Sequence, residues 1–348
     1  MITPDGIPPL DRDVGDRVRG YLDTLTKPPG SLGRLEQLAI SLAEMTGDAF
    51  PDVTPPAVLV FAADHGVAQE GVSAFPQDVT AQMVANFVAG GAAINVFARQ
   101  IGARLEVIDV GVASALPGEG LVIDKVRAGT ANITRQDAMS RAEARQALDV
   151  GMRAADRAID AGCRCLIVGE MGIANTTASS AMLAVLAGET VCRLVGAGTG
   201  IPESRLAHKT DVIERAIAAR QADPNDPLDV LAKLGGLEIG AMTGAFLGAA
   251  ARRRPTIVDG FIATVAALLA CRLCPTARYY LIFGHRSCEP GHEVALAALA
   301  ATPLLDLQMR LGEGSGAALA FPLLQAATRM LADMATFDAA GVAAGEPR

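Results

Sequence analysis

Five short runs of branched apolar residues, each closing on Gly or a polar residue, constrain this chain more than any other feature. They are "AVLVFAADHG" (57–66), "LEVIDVG" (105–111), "CLIVGEMG" (165–172), "PTIVDG" (255–260) and "YYLIFGH" (279–285). Near-continuous apolar strands that alternate with helices predict a parallel sheet covered on both faces. The segment "SRAEARQALDVGMRAADRAIDAG" (140–162) opens on a Ser140/Glu143 capping box, keeps one apolar stripe and stops at Gly162. "RLAHKTDVIERAIAARQ" (205–221) reads as a second helix. Residues 26–45, after a Pro-Gly turn, and the tail 323–342 are also helical in pattern. A chain of 348 residues accommodates one large core and an accessory lobe. The expected fold is an α/β, Rossmann-like parallel sheet with flanking helices over residues 50–300. A small helical domain is expected from residues 1–49 together with 301–348.

A net charge of −8, with no basic cluster beyond "ARRRP" (251–255), argues against nucleic acid, because neutralising phosphates needs many convergent cations. Small molecules are the expected partners. The apolar stretches 239–251 and 260–270 fall short of the roughly 20 residues a bilayer demands, so they read as core helices and no membrane is expected. The first residues lack a basic segment followed by an apolar one, which points to the cytoplasm. Cysteines stand at 163, 165, 192, 271, 274 and 288, with "CRC" in an apparent buried strand and "CRLC" ending an apolar helix. His285 and His292 are the candidate metal ligands, but "HRSCEPGH" has no metal-ligand pattern; reduced, mostly packed thiols and no metal are expected.

In a parallel sheet the carboxyl ends of the strands face the ligand crevice. Here those ends carry Asp64, His65, Asp109, Glu170, Asp259, His285 and Ser287. The turn "VGAGTG" (195–200) leads to a helix containing Lys209. Its glycines, Gly196, Gly198 and Gly200, suit either an anion cradle or a simple connecting turn, and the segment matches neither G-x-G-x-x-G nor a P-loop. Glu170 is either a site carboxylate or a capping or paired one, and Asn175, Thr176 and Thr177 are placed to cap the helix that follows. Phe75, Gln82 and Met83 suit a flat heteroaromatic ligand, although a Phe and a Met at near-helical spacing are usually core. Glu313 lies between two glycines in "MRLGEGSGAAL" (309–319), where an apolar run begins. A charge there either caps a helix or does chemistry.

Taken in order, "TKPPGSLGRLE", "ADHGV…FPQDVTAQMVANF", "GEMGIANTT", "GAGTG…HKTDVI", "GGLEIGAMTGAF", "IVDGFIAT", "GHRSCEPGH" and "LGEGSGAALA" closely resemble the nicotinate-nucleotide:dimethylbenzimidazole phosphoribosyltransferase family of the cobalamin pathway. The resemblance runs from Thr26 to the tail. It implies transfer of 5-phosphoribose from nicotinate mononucleotide to 5,6-dimethylbenzimidazole, with inversion, giving α-ribazole 5′-phosphate and nicotinate. It places Glu313 on the general base and Glu170 as a second acidic residue. It maps the phosphate and ribose contacts to Gly172, Gly198, Lys209, Asp259 and Ser287, and the base pocket to Phe75, Gln82, Met83 and Leu311. It implies no cofactor, and a homodimer in which the helical ends reach the partner's site. Some members carry a small hydroxyl residue where this chain has Phe75, so the resemblance leaves the accepted base open. A nucleotide-dependent oxidoreductase and a non-catalytic nucleotide or corrinoid-precursor sensor are the rival readings; the missing dinucleotide fingerprint weighs against the first.

Overall fold

The structure, a computed structural model, describes residues 6–343. Expectations for residues 1–5 and 344–348, including the extreme ends of the helical lobe and the start of the leader reading, lie outside the described residues. Eight strands form among the described residues, namely β1 (Pro56–Ala63), β2 (Arg104–Gly111), β3 (Val122–Ile123), β4 (Cys165–Met171), β5 (Thr256–Val258), β6 (Leu281–Phe283), β7 (His285–Ser287) and β8 (Leu305–Met309). The first six make one parallel sheet in the order β3-β2-β1-β4-β5-β6. That is the doubly wound order, and its direction reverses between β1 and β4, where ligands bind in such sheets. β1 and the first six residues of β4 are buried throughout, as their unbroken apolar sequence requires. β7 and β8 form a separate parallel pair beside the carboxyl ends. "CRC" enters its strand only at Cys165, although Cys163 is buried too.

Thirteen helices of the described residues surround the sheets. The first seven are α1 (Arg12–Leu22), α2 (Arg34–Thr46), α3 (Val79–Ala89), α4 (Ala93–Gln100), α5 (Arg141–Asp160), α6 (Asn175–Ala187) and α7 (Leu206–Arg220). Then come α8 (Pro227–Leu234), α9 (Leu237–Ala251), α10 (Phe261–Leu273), α11 (Pro290–Ala298), α12 (Ser315–Asp333) and α13 (Phe337–Ala340). The Ser140/Glu143 box caps α5 reciprocally. α5 lies tightly along α9 because a Cβ on Gly151 or Gly244 would strike the facing backbone at Ala241 or Leu148. α9 and α10 are buried on almost every side, and at 15 and 13 residues they are core helices. Residues 79–100 are long and apolar enough by count to cross a membrane, yet they fold as two helices broken after Ala89. The chain ends meet. Leu25 bridges Thr336, Thr26 N–H donates to Ala335 O at 3.0 Å, and α2 packs on α12.

Candidate active site

The site is built on β4. Gly169 has no side chain because the backbone of Glu313 and Gly314 lies directly on the strand at that point. This contact sets residues 312–314 next to Glu170, the following residue of β4. Glu313 adopts a left-handed conformation with φ 65°, flanked by Gly312 (φ 93°) and Gly314 (φ 88°). A non-glycine residue there costs on the order of 1 kcal/mol and is held by its surroundings. Glu313 does not cap α12. Asp259, just after β5, does so, accepting from Gly314 N–H (3.1 Å) and Ala317 N–H (2.9 Å). Glu313 Oε2 instead accepts from Ile94 N–H in the first turn of α4 (3.3 Å), and among the described residues its Oε1 has no protein donor.

Glu313, Glu170, Asp259 and Glu289 converge on one cavity of about 410 Å³ at the carboxyl ends of β4 and β5, the size of a small-molecule site. Its walls also include Phe75, Met83, Leu311, Gly172, Gly198 and Ser287. Phe75 and Leu311 are half exposed at the mouth. α6 starts at the cavity through Asn175 and Thr176, so its positive end faces the space. Arg310 lines it as well and donates to Gly198 O at 3.3 Å.

Burial and the neighbouring charges on Glu238 and Asp259 push Glu170 up to about 8, against the lowering effect of its hydrogen bond from Asn175. Glu170 therefore holds a proton at neutral pH. Burial, with a smaller push from Asp259, also raises Glu313 above the usual carboxylate range, opposed by the Ile94 amide. Lys209 is buried directly behind the wall, 2.9 Å from Thr176 Oγ1 and 3.1 Å from Gly196 O. Burial lowers it to about 8, although Glu289 favours its charged form.

Several residues stand apart from the places their sequence suggested. Asp64 and Asp109 turn to the loop after β2, accepting from Ala113 N–H and Val112 N–H at 2.8 Å each, and Asp109 pairs with Lys125. Strand-end position alone does not bring them to the cavity, because β1 and β2 lie on the other side of the switch. His65 is buried against Glu238, Nε2 to Oε1 2.6 Å, beneath Gly172. Gln82 is exposed on α3 and is not among the lining residues. Asn175, Thr176 and Thr177 do not cap α6; its N-cap is Ala174, and Asn175 holds Glu170 instead. The Gly198 N–H of the glycine turn is taken by Glu289 Oε1 at 3.0 Å, so an internal carboxylate fills that part of the cradle.

Glu289, Glu238 and Ile94 do not stand out in the sequence as site residues. For Glu238 a signal exists: a lone carboxylate inside the apolar "GGLEIGAMTGAF". Cys163, Cys165 and Cys274 are buried, Cys192 and Cys288 exposed. Among the described residues no group of three or more His, Cys, Asp or Glu could hold a metal ion.

Fold and site together define a doubly wound α/β enzyme with an acid-lined, small-molecule crevice at its switch point. A phosphoribosyltransferase family model matches residues 7–342. The nicotinate-nucleotide–dimethylbenzimidazole phosphoribosyltransferase of Chloroflexus aggregans is 55% identical over 341 residues, covering 98% of this chain and 97% of the relative. The enzyme of that name from Roseiflexus sp. (strain RS-1) is 53% identical over 97% of this chain and 96% of its own length. The crystal structure of CobT from Thermus thermophilus superposes with a TM-score of 0.92 at 48% identity, over 96% of this chain and all of that one. The chain belongs to the nicotinate-nucleotide–dimethylbenzimidazole phosphoribosyltransferase family.

Proposed function

We propose that this enzyme moves 5-phosphoribose from nicotinate mononucleotide to 5,6-dimethylbenzimidazole, releasing nicotinate and forming α-ribazole 5′-phosphate for cobalamin. Family membership carries the reaction. The observation that carries the assignment of roles is that one cavity is lined both by carboxyl groups, Glu313, Glu170 and Asp259 among them, and by the α6 N-terminus and Arg310, with Lys209 behind Thr176. A nucleotide with a cationic pyridinium and an anionic phosphate carries both charges to match. The phosphate fits Gly172, Ser287 and the start of α6, with Lys209 behind Thr176 and the Gly198 turn beside it.

The acceptor nitrogen attacks C1′ as the C1′–N bond of the pyridinium breaks, and the bonding pair leaves on the ring nitrogen of nicotinate, whose pyridine ring is then neutral. The pyridinium departs without protonation, so no acid is needed. The acceptor must lose the proton on its other ring nitrogen, and Glu313 is the group to take it, its raised pKa bringing it towards the working pH. Glu170, protonated at neutral pH, keeps its proton and supplies a hydrogen bond to the bound substrate. Phe75, Met83 and Leu311 form the apolar rim for the base, with Gln82 one helical position from Met83. Asp259 holds the Glu313 turn and flanks the ribose.

The proposal extends to a cytoplasmic homodimer, in which residues 1–49 and 301–348 form a helical lobe that reaches the partner's cavity; the meeting of the chain ends at Leu25 and Thr336 supports the shared lobe. The test is nicotinate release from nicotinate mononucleotide, followed chromatographically with and without dimethylbenzimidazole. Release that requires the acceptor is expected. Acceptor-independent release, or none, would refute the reaction.

A further inference from the structure

We propose that His292 is a positioning residue which, as a neutral ring with its proton on Nε2, anchors the Ser287 backbone so that the Ser287 hydroxyl faces the substrate phosphate. The inference rests on the reading of the cavity as a nucleotide site. His292 lies in the first turn of α11, fully buried. Ser287 N–H donates to its Nδ1 at 2.8 Å, and a nitrogen that accepts a hydrogen bond carries no proton. The proton is therefore on Nε2, 3.0 Å from Thr264 Oγ1 on α10, where it donates. The ring thus ties the end of β7 to a buried core helix.

Ser287 Oγ accepts from Glu289 N–H at 3.3 Å, which leaves the hydroxyl proton free for a ligand in the cavity that Ser287 lines. Protonation of Nδ1 would set two donors against each other. Burial, and the His285 ring 6.3 Å away, keep His292 neutral by pushing its pKa down to about 3. Both nitrogens are committed, so His292 is not available as a metal ligand.

Calorimetric titration with nicotinate mononucleotide tests the proposal. His292→Gln, which places its polar end at the Nε2 position, is expected to weaken binding about tenfold. His292→Asn, whose Oδ1 stands where Nδ1 stood, is expected to stay within about threefold of the parent, while kcat is little changed in both. Equal weakening by Asn and Gln, or none by Gln, would overturn the proposal. Because His292→Gln could fail to fold, the ring's ¹⁵N shifts in the parent protein give a second readout. The Nε2–H form is expected to persist across about pH 5–9; an Nδ1–H form, or titration within that range, would overturn the anchor. If the parent does not bind the nucleotide, the functional reading fails, while the ring's tautomer still decides whether His292 holds Ser287.

Discussion

Glu170 and Lys209 are the two residues whose ionisation the fold alters most usefully. A carboxyl with a folded-state pKa of about 8, against an ordinary 4.5, keeps its proton in the folded protein over that whole interval. The associated stabilisation is complete below the unfolded value and is lost as pH rises through about 8. Denaturant unfolding is therefore expected to show stability declining between about pH 4.5 and 8, with a flatter profile in Glu170→Gln. Parallel profiles would place the raised pKa elsewhere. Lys209 has the complementary behaviour: its amine loses charge as pH rises past about 8. The KM for nicotinate mononucleotide is expected to climb above that pH, and Lys209→Ala to raise KM roughly tenfold or more and remove the climb, a charge-assisted contact being worth about 1.5–3 kcal/mol. A pH-independent KM in the parent would remove Lys209 from phosphate binding. Glu170 and Glu313 are visible in the sequence because each is an acid beside glycines. Glu289 is not, since its partner lies 91 residues away, and Glu238 shows only as a lone carboxylate in an apolar run, its role set by a partner 173 residues away.

At the level of elements, the turn 312–314 is held from two sides, by β4 through Gly169 and by the Asp259 cap on α12. Asp259→Ala leaves two buried amides without an acceptor and is expected to destabilise the protein by about 1–3 kcal/mol, read by denaturant titration; a change below about 0.5 kcal/mol would mean that the cap contributes nothing. At the mouth, Phe75→Ser removes stacking surface without touching phosphate contacts. It is expected to reorder the preference among benzimidazole acceptors at nearly constant nucleotide affinity, and an unchanged order would take Phe75 out of the base pocket. The five apolar runs are legible because burial on both faces imposes continuous hydrophobicity. β3 and β8 are not: one has two residues, and the other, "LDLQM", is largely exposed, so neither carries a burial pattern. The α6 cap differs from the sequence expectation because Ala174 takes a left-handed conformation that composition does not announce, freeing Asn175 for Glu170.

Across the whole molecule, sheet order accounts for where the chemistry sits. The reversal between β1 and β4 opens the crevice, and only the β4–β5 side delivers its carboxyl groups there, while the acids of β1 and β2 serve the loops. The two chain ends meet through α2 packed on α12 and the Leu25–Thr336 bridge. In the proposed reaction this arrangement presents Glu313 as the base. The steady-state rate of nicotinate release from Glu313→Gln, at saturating nicotinate mononucleotide and dimethylbenzimidazole and with folding checked by thermal melting, tests that role. Gln can still accept from Ile94 N–H, so the fold and substrate affinity are expected to persist while kcat falls about 10²–10⁴-fold. A folded Glu313→Gln enzyme that turns over at nearly the parent rate would contradict the account and leave Glu313 only as a cap for α4.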